Sequence, residues 1–184
     1  MAVDRVEKRL RRVTEALDAA NVPYAVIGGN AVATWVGRAD PGATRATKDV
    51  DLLVRRSDDD RVTQAMTTLG FKRHDLRRMV LFVDPDEPSK RSGVHLVWAD
   101  EFVRPSYPCP APSVDEAVRD PEGFLVLDLA ALVRMKLTSC RDIDRVHIAD
   151  LTSVGLIDEA IRNHLSPELR ARLDDIQRAM EDRD

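Results

Sequence analysis

Apolar residues recur every three or four positions at Val3, Val6, Leu10, Val13 and Leu17, with charges filling the intervals. This spacing predicts an amphipathic surface helix at the start of the chain. Asn21-Val22-Pro23 breaks it, and Tyr24–Ile27 reads as a short buried strand that stops at Gly28 and Gly29. Asn30 to Val36 returns to helical spacing, with Asn30 as the expected cap. A loop over residues 37–46, with Gly37, Pro41 and Gly42, then delivers the chain to "TKDVDLLV", Thr47 to Val54. On a strand, Asp49, Asp51 and Leu53 share one face and Val50, Leu52 and Val54 the other.

Beyond Val54 the pattern predicts a helix opening at Ser57 or Asp58, with Val62, Ala65, Met66 and Leu69 inside and Gly70 ending it. Strands are expected at Phe71–Asp75 and Met79–Val83, a turn-rich connection at Asp84–Gly93, and a further strand at Val94–Ala99. Arg104–Pro112, "RPSYPCPAP", holds too many prolines for regular structure and reads as an extended arm. Helices follow over residues 128–140 and 144–154, with a last pair within 158–182. The order implies an α+β fold: a mixed β-sheet core flanked by helices through residue 103, a Pro-rich connection at 104–127, and a C-terminal helical tail at 128–184 packing on the core.

Composition narrows the function. Aromatic residues make up 4%, which argues against a base-stacking platform. With 28 basic and 32 acidic residues mixed along the chain, the balance argues against a broad nucleic-acid-coating surface and leaves room for a local basic pocket. Cys109 and Cys140 lack the spacing of a zinc or redox pair, so reduced thiols are expected. No run approaches the roughly 20 apolar residues of a membrane span, and the charged start is unlike a secretion signal. A cytoplasmic protein with no membrane partner is the expectation.

The candidate chemistry lies in the aspartates. Two neighbouring carboxylates repel, and each is costly when desolvated alone, so either their face is solvent or a divalent cation sits between them. Magnesium, or manganese, suits such a pair because it accepts a few carboxylates and completes its shell with waters and phosphate oxygens. Gly28 and Gly29 stand at a strand-to-helix turn, where backbone amides and the positive helix end can approach phosphate, or where the chain simply turns tightly. His95 is either a packed or hydrogen-bonded histidine, or a neutral base or ligand. Lys136 shares a helical face with Leu129, Leu132 and Val133, where its ammonium either snorkels out or meets an anion. Arg45 and Lys48 flank the aspartates, solvated or reaching phosphate.

Together, "YAVIGGNAVATWVG", "RATKDVDLLV" and "LVRMKLTSCRDIDRVHIADL" resemble the nucleotidyltransferase superfamily, and within it the small bacterial members grouped with AbiEii-type toxins of toxin–antitoxin systems. The resemblance runs from Tyr24 to Leu151. It implies a nucleotidyltransferase-like fold that binds a nucleoside triphosphate with Mg2+ (or Mn2+). Asp49 and Asp51 would be catalytic metal ligands, and Gly28, Gly29, Asn30 and Lys48 would contact the nucleotide. Lys136 and Arg141 would do so from the helical side, with Asp144 and His147 bracing them or merely capping and packing. His95 falls where the family carries a third carboxylate, with Asp100 and Glu101 as its alternatives. The implied reaction is transfer of a nucleoside monophosphate, with release of pyrophosphate, to an RNA or protein acceptor, in company with an antitoxin partner. An antibiotic hydroxyl is the alternative acceptor, and a non-catalytic nucleotide-binding or partner-binding protein of the same fold is the rival. The arm at Arg104–Pro112 could cross to a second subunit of a homodimer.

Overall fold

The computed structural model describes residues 2–77, 79–87 and 93–182. The opening pattern forms α1 (Ala2–Ala19), whose Val6, Leu10, Val13 and Leu17 are buried. The side chain of Val3 lies outside what is described. Asn21, at φ +52°, turns the chain toward β1 (Tyr24–Ile27), buried at every position. There follow α2 (Gly28–Ala39), β2 (Val50–Val54), α3 (Asp59–Thr68), β3 (Lys72–Leu76), β4 (Met79–Val83) and β5 (Val94–Trp98), close to the periodicity-based expectation. In the turn expected over Asp84–Gly93, Asp84 bridges to Glu87, and residues 88–92 lie outside the described residues.

Two expectations need correction. Asn30 does not cap α2. The helix begins two residues earlier, at Gly28, with Ile27 at the cap position and no side-chain cap bond. Asn30 is buried, and its Nδ2 donates to the Asp49 carbonyl at 2.7 Å, tying α2 to the entrance of β2. Nor is residues 104–127 only a connection. Its second half holds a 3-10 turn at Val114–Glu116, capped by Ser113, and two strands, β6 (Ala117–Arg119) and β7 (Leu125–Leu127). They form a hairpin around Asp120-Pro121-Glu122-Gly123, where Gly123 takes φ +100°. That turn sequence between two short apolar runs was the available signal.

The seven strands form one sheet in the order β3-β4-β5-β2-β1-β7-β6. The sheet is mixed: β2 lies antiparallel to β1 and parallel to β5, and β7 lies parallel to β1. The chain ends in α4 (Leu129–Ser139), α5 (Asp142–Ser153), α6 (Glu159–Asn163) and α7 (Pro167–Glu181). Asp128, Asp158 and Ser166 begin three of these by accepting the backbone N–H three residues on, which satisfies donors the first turn leaves unpaired. Leu52, Leu53 and Val54 are all buried, so both faces of β2 are covered and only its Asp51 end opens. No helix among the described residues is long and apolar enough to cross a membrane.

Arg9, on α1, is 2% exposed. Its Nε donates to Asp84 at 2.8 Å, one terminal nitrogen to Glu87 at 2.7 Å, and the other to the Lys48 carbonyl at 3.2 Å. This cation therefore ties α1 to the end of β4 and to the residue before Asp49. Removing one partner of a buried pair strands the other charge. Asp84→Ala is expected to lower unfolding free energy by about 3–5 kcal/mol in urea titrations, whereas Arg9→Met combined with Asp84→Leu should recover most of that loss.

Candidate active site

Strand register assembles the site. Asp51 lies opposite Ile27 of β1 and opposite His95 of β5, so the residue before Gly28 and the histidine both fall beside the acidic pair. His95 Nδ1 is 3.2 Å from Asp51 Oδ1 and 3.5 Å from Asp49 Oδ2. One ligand atom from each of Asp49, Asp51 and His95 lies within 4.8 Å of the others. Asp49 is fixed from two sides: Thr47 Oγ1 donates to its Oδ1 at 3.1 Å, and Asn30 holds its carbonyl. Gly28 is required twice over. It takes φ +68°, and a Cβ there would stand 2.0 Å from Asp51 Oδ2, so only glycine lets the start of α2 abut the carboxylate. The partial positive charge at that helix end favours the anion.

The hydrogen bond that His95 makes to the Asp51 carboxylate raises the histidine's pKa; burial opposes it, and the charges of Asp51 and Asp49 add to it. In the neutral ring, an Nδ1–H directed at Asp51 leaves Nε2 as the acceptor nitrogen. Two converging, part-exposed carboxylates beside a backbone turn with no side chain in the way fit a small divalent cation, and oxygen donors suit Mg2+ or Mn2+. Asp49 and Asp51 would hold it.

The helical side of the site is a charge cluster around Asp144, which has no exposed surface. Lys136 Nζ donates to it at 3.1 Å, Arg141 Nε at 2.7 Å and Ser139 Oγ at 2.7 Å. Burial would raise the Asp144 pKa, but Arg141, Lys136 and Ser139 overcome it and bring the carboxyl down to about 2. The two expected phosphate contacts therefore differ. The Lys136 side chain is 5% exposed and committed to Asp144, whereas that of Arg141 is 59% exposed and reachable from the cleft. His147 is held neutral, its pKa lowered to about 4 by burial and then by the Lys136 charge. Its Nδ1 is buried without a hydrogen-bond partner, and its Nε2 lies 3.9 Å from where a Cβ on Gly29 would be.

A cleft of about 680 Å³ opens between these groups. Gly28, Gly29, Asp49, Asp51, His95 and Arg141 line it, and the exposed Lys48 does so as well. Asn30 does not, because its amide is spent on Asp49. Arg45 reaches the cleft wall but pairs with Asp150 of α5 at 2.7 Å. Asp100 and Glu101 are excluded as alternatives to His95: neither lines the cleft, and both oxygens of Glu101 bind Arg56. The sequence reading missed Thr47 and Ser139, whose hydroxyls orient the aspartates, and Tyr107, Cys109 and Pro110, which bring the arm against its own chain's cleft. Cys109 anchors that arm through a 2.8 Å contact of its sulfur with Thr138 Oγ1.

Residues 9–97, from within α1 to β5, match the aminoglycoside-2''-adenylyltransferase family model. Among solved structures the chain is similar to the antibiotic-resistance factor ANT(2'')-Ia in solution, at 18% identity and TM-score 0.61 over 100% of this chain and 98% of that one. The same factor crystallised with adenylyl-2''-tobramycin is 19% identical, with TM-score 0.60 over 94% and 98%. The lincosamide antibiotic adenylyltransferase LnuA, lincomycin-bound, is 15% identical, with TM-score 0.51 over 80% and 97%. No curated protein matches by sequence. At these identities the likeness is one of fold: a seven-stranded mixed sheet flanked by helices, as in nucleotidyltransferases. The matches support the nucleotidyltransferase superfamily and do not show its AbiEii-type branch.

Two measurements check this geometry. Mn2+ titration followed by electron paramagnetic resonance should show binding that Asp49→Asn, Asp51→Asn and Gly28→Ala each weaken by about tenfold or more. For His147, the folded pKa of about 4 lies below the ordinary 6.5. As pH falls from 6.5 to 4 the unfolded chain takes up a proton that the folded chain refuses, so stability is lost across that window. Thermal unfolding of His147→Gln should show a smaller fall over the same range.

Proposed function

We propose that the chain is a divalent-metal-dependent nucleotidyltransferase that moves a nucleoside monophosphate from a nucleoside triphosphate to a hydroxyl of a small, antibiotic-like acceptor. The observation that carries this reading is the convergence of Asp49, Asp51 and His95 on the Gly28 turn, at the mouth of the cleft. The family match over the same residues, and the fold shared with two antibiotic adenylyltransferases, support the acceptor class.

A bound Mg2+ or Mn2+ would neutralise phosphate oxygens and lower the pKa of the acceptor hydroxyl. The protein's own part is positioning and proton transfer. Asp49 and Asp51 present their carboxylates at a fixed spacing, while the Gly28-Gly29 amides and the α2 N-terminus receive the triphosphate. Arg141, oriented by Asp144, and Lys48 approach the phosphates from either side. The acceptor oxygen forms a bond to the α-phosphorus as the bond to pyrophosphate breaks, and pyrophosphate leaves with the electron pair. The hydroxyl proton passes to Nε2 of His95, whose Nδ1–H is oriented by Asp51, the same division of labour as in an Asp-His dyad. An imidazole thus takes the proton at the place where the family carries a carboxylate.

Incubation with α-labelled triphosphates, Mg2+, an antibiotic panel and total tRNA tests the reading. Label should move to a small molecule, with weak dependence on salt, and not at all in an Asp49→Ala, Asp51→Ala variant. Label on RNA, falling steeply with salt, would favour the toxin-like acceptor instead, and nucleotide binding without transfer would favour an impaired relative. His95→Asn should lower kcat by about 10²–10⁴-fold while leaving Mn2+ binding in place, which separates its role from those of the aspartates.

A further inference from the structure

Among the described residues, four carboxylates line the cleft: Asp49, Asp51, Asp144 and Asp150. Asp49 and Asp51 would be taken up by the divalent ion of the proposed reaction. Asp144 has no exposed surface and is shared by Lys136, Arg141 and Ser139. Asp150 accepts from Arg45 Nε at 2.7 Å. Every acid of the cleft wall is therefore already engaged, and Lys48 adds a further positive charge. Much of the remaining wall, between β4, β5, the arm and the start of α5, is apolar: Met79, Val97, Val103, Tyr107 and Ile143. Met79 and Ile143 are left 36% and 51% exposed.

A polycation entering this cleft would meet no unpaired carboxylate, and its ammonium groups would lose hydration without a counter-charge. An apolar body would instead cover Met79 and Ile143 and gain from removing them from water. We propose that the acceptor is a hydroxylated small molecule with an apolar body and at most one positive charge, not the polycationic aminoglycoside that the matched family acts on by name. This deepens the nucleotidyl-transfer reading and rests on it. One acceptor hydroxyl makes the new bond to the α-phosphorus, its proton passes to His95, and pyrophosphate leaves.

Calorimetric titration of the protein, saturated with Mg2+ and a non-hydrolysable triphosphate, compares two probes. Lincomycin carries one basic amine and an aliphatic body; tobramycin is a polycation. Lincomycin should bind about tenfold or more tightly than tobramycin, a factor corresponding to one matched apolar contact or one stranded charge. Ile143→Glu, at an exposed position, should shift that ratio toward tobramycin by supplying the missing carboxylate. Equal or tighter binding of tobramycin by the unmodified protein, or no binding of lincomycin, overturns the proposal. Pyrophosphate release with the hydrolysable triphosphate, measured alongside, separates the two claims. Lincomycin bound without release keeps the acceptor class and removes the transfer reading. Release with tobramycin alone keeps the transfer reading and removes the acceptor class.

Discussion

Two carboxylates held side by side at one strand end repel each other, and the surrounding structure is arranged to keep them there. Asp49 and Asp51 cannot separate, because Val50 between them is buried in the sheet and Asn30 and Thr47 pin Asp49 from the helix and the loop. Gly28 removes the one atom that would push Asp51 away. Arg9 reaches across from α1 to the Lys48 carbonyl and so anchors the approach to the pair from behind. The repulsion is relieved locally by the α2 N-terminus and by a His95 proton, and a divalent ion answers the same electrostatic need more fully.

The helical side of the cleft follows a second version of that constraint. Asp144 is fully buried and survives as a carboxylate only because Lys136, Arg141 and Ser139 surround it. That cluster fixes Arg141 and holds the ammonium of the cleft-lining Lys136 on Asp144, while burial and then the Lys136 charge keep the proton off His147. Away from the β2 end the cleft walls therefore carry more cations than carboxylates, Lys48, Lys136 and Arg141 against Asp144, and only the β2 end is strongly acidic. Such a field suits a metal-bound triphosphate at that end and an uncharged body elsewhere.

Much of this was legible in the sequence because it is local. The period of α1, the strand stopping at Gly28, and the strand that carries Asp51 each follow from residues a few positions apart, and the structure keeps them, with β2 beginning at Val50, one residue after Asp49. His95, put forward by the family resemblance, lies opposite Asp51 in the register of β2 and β5. What sequence could not give is pairing at long range. Asp144 as a brace for Lys136 is one of two readings open in the sequence, and the fold selects it, whereas nothing near Arg9 announces Asp84, 75 residues away. Asn30 looked like a cap because Asn caps helices often. Gly28 starts the helix earlier at a positive φ, and the close approach of Asp51 that also requires glycine there comes from another strand and not from its neighbours in sequence. Strands β6 and β7 are three residues each, too short for alternation to register, and only their turn marked them.

The central claim is that the acidic pair holds a divalent ion which in turn fixes a triphosphate against the Gly28 turn. Anomalous scattering from crystals grown with Mn2+ and a non-hydrolysable nucleoside triphosphate reads this most directly. The account predicts a manganese peak between the Asp49 and Asp51 carboxylates, with phosphate oxygens completing its shell beside Gly28 and Gly29. Triphosphate bound elsewhere, or no manganese at the pair under saturating Mn2+ with His95 still bonded to Asp51, would contradict it.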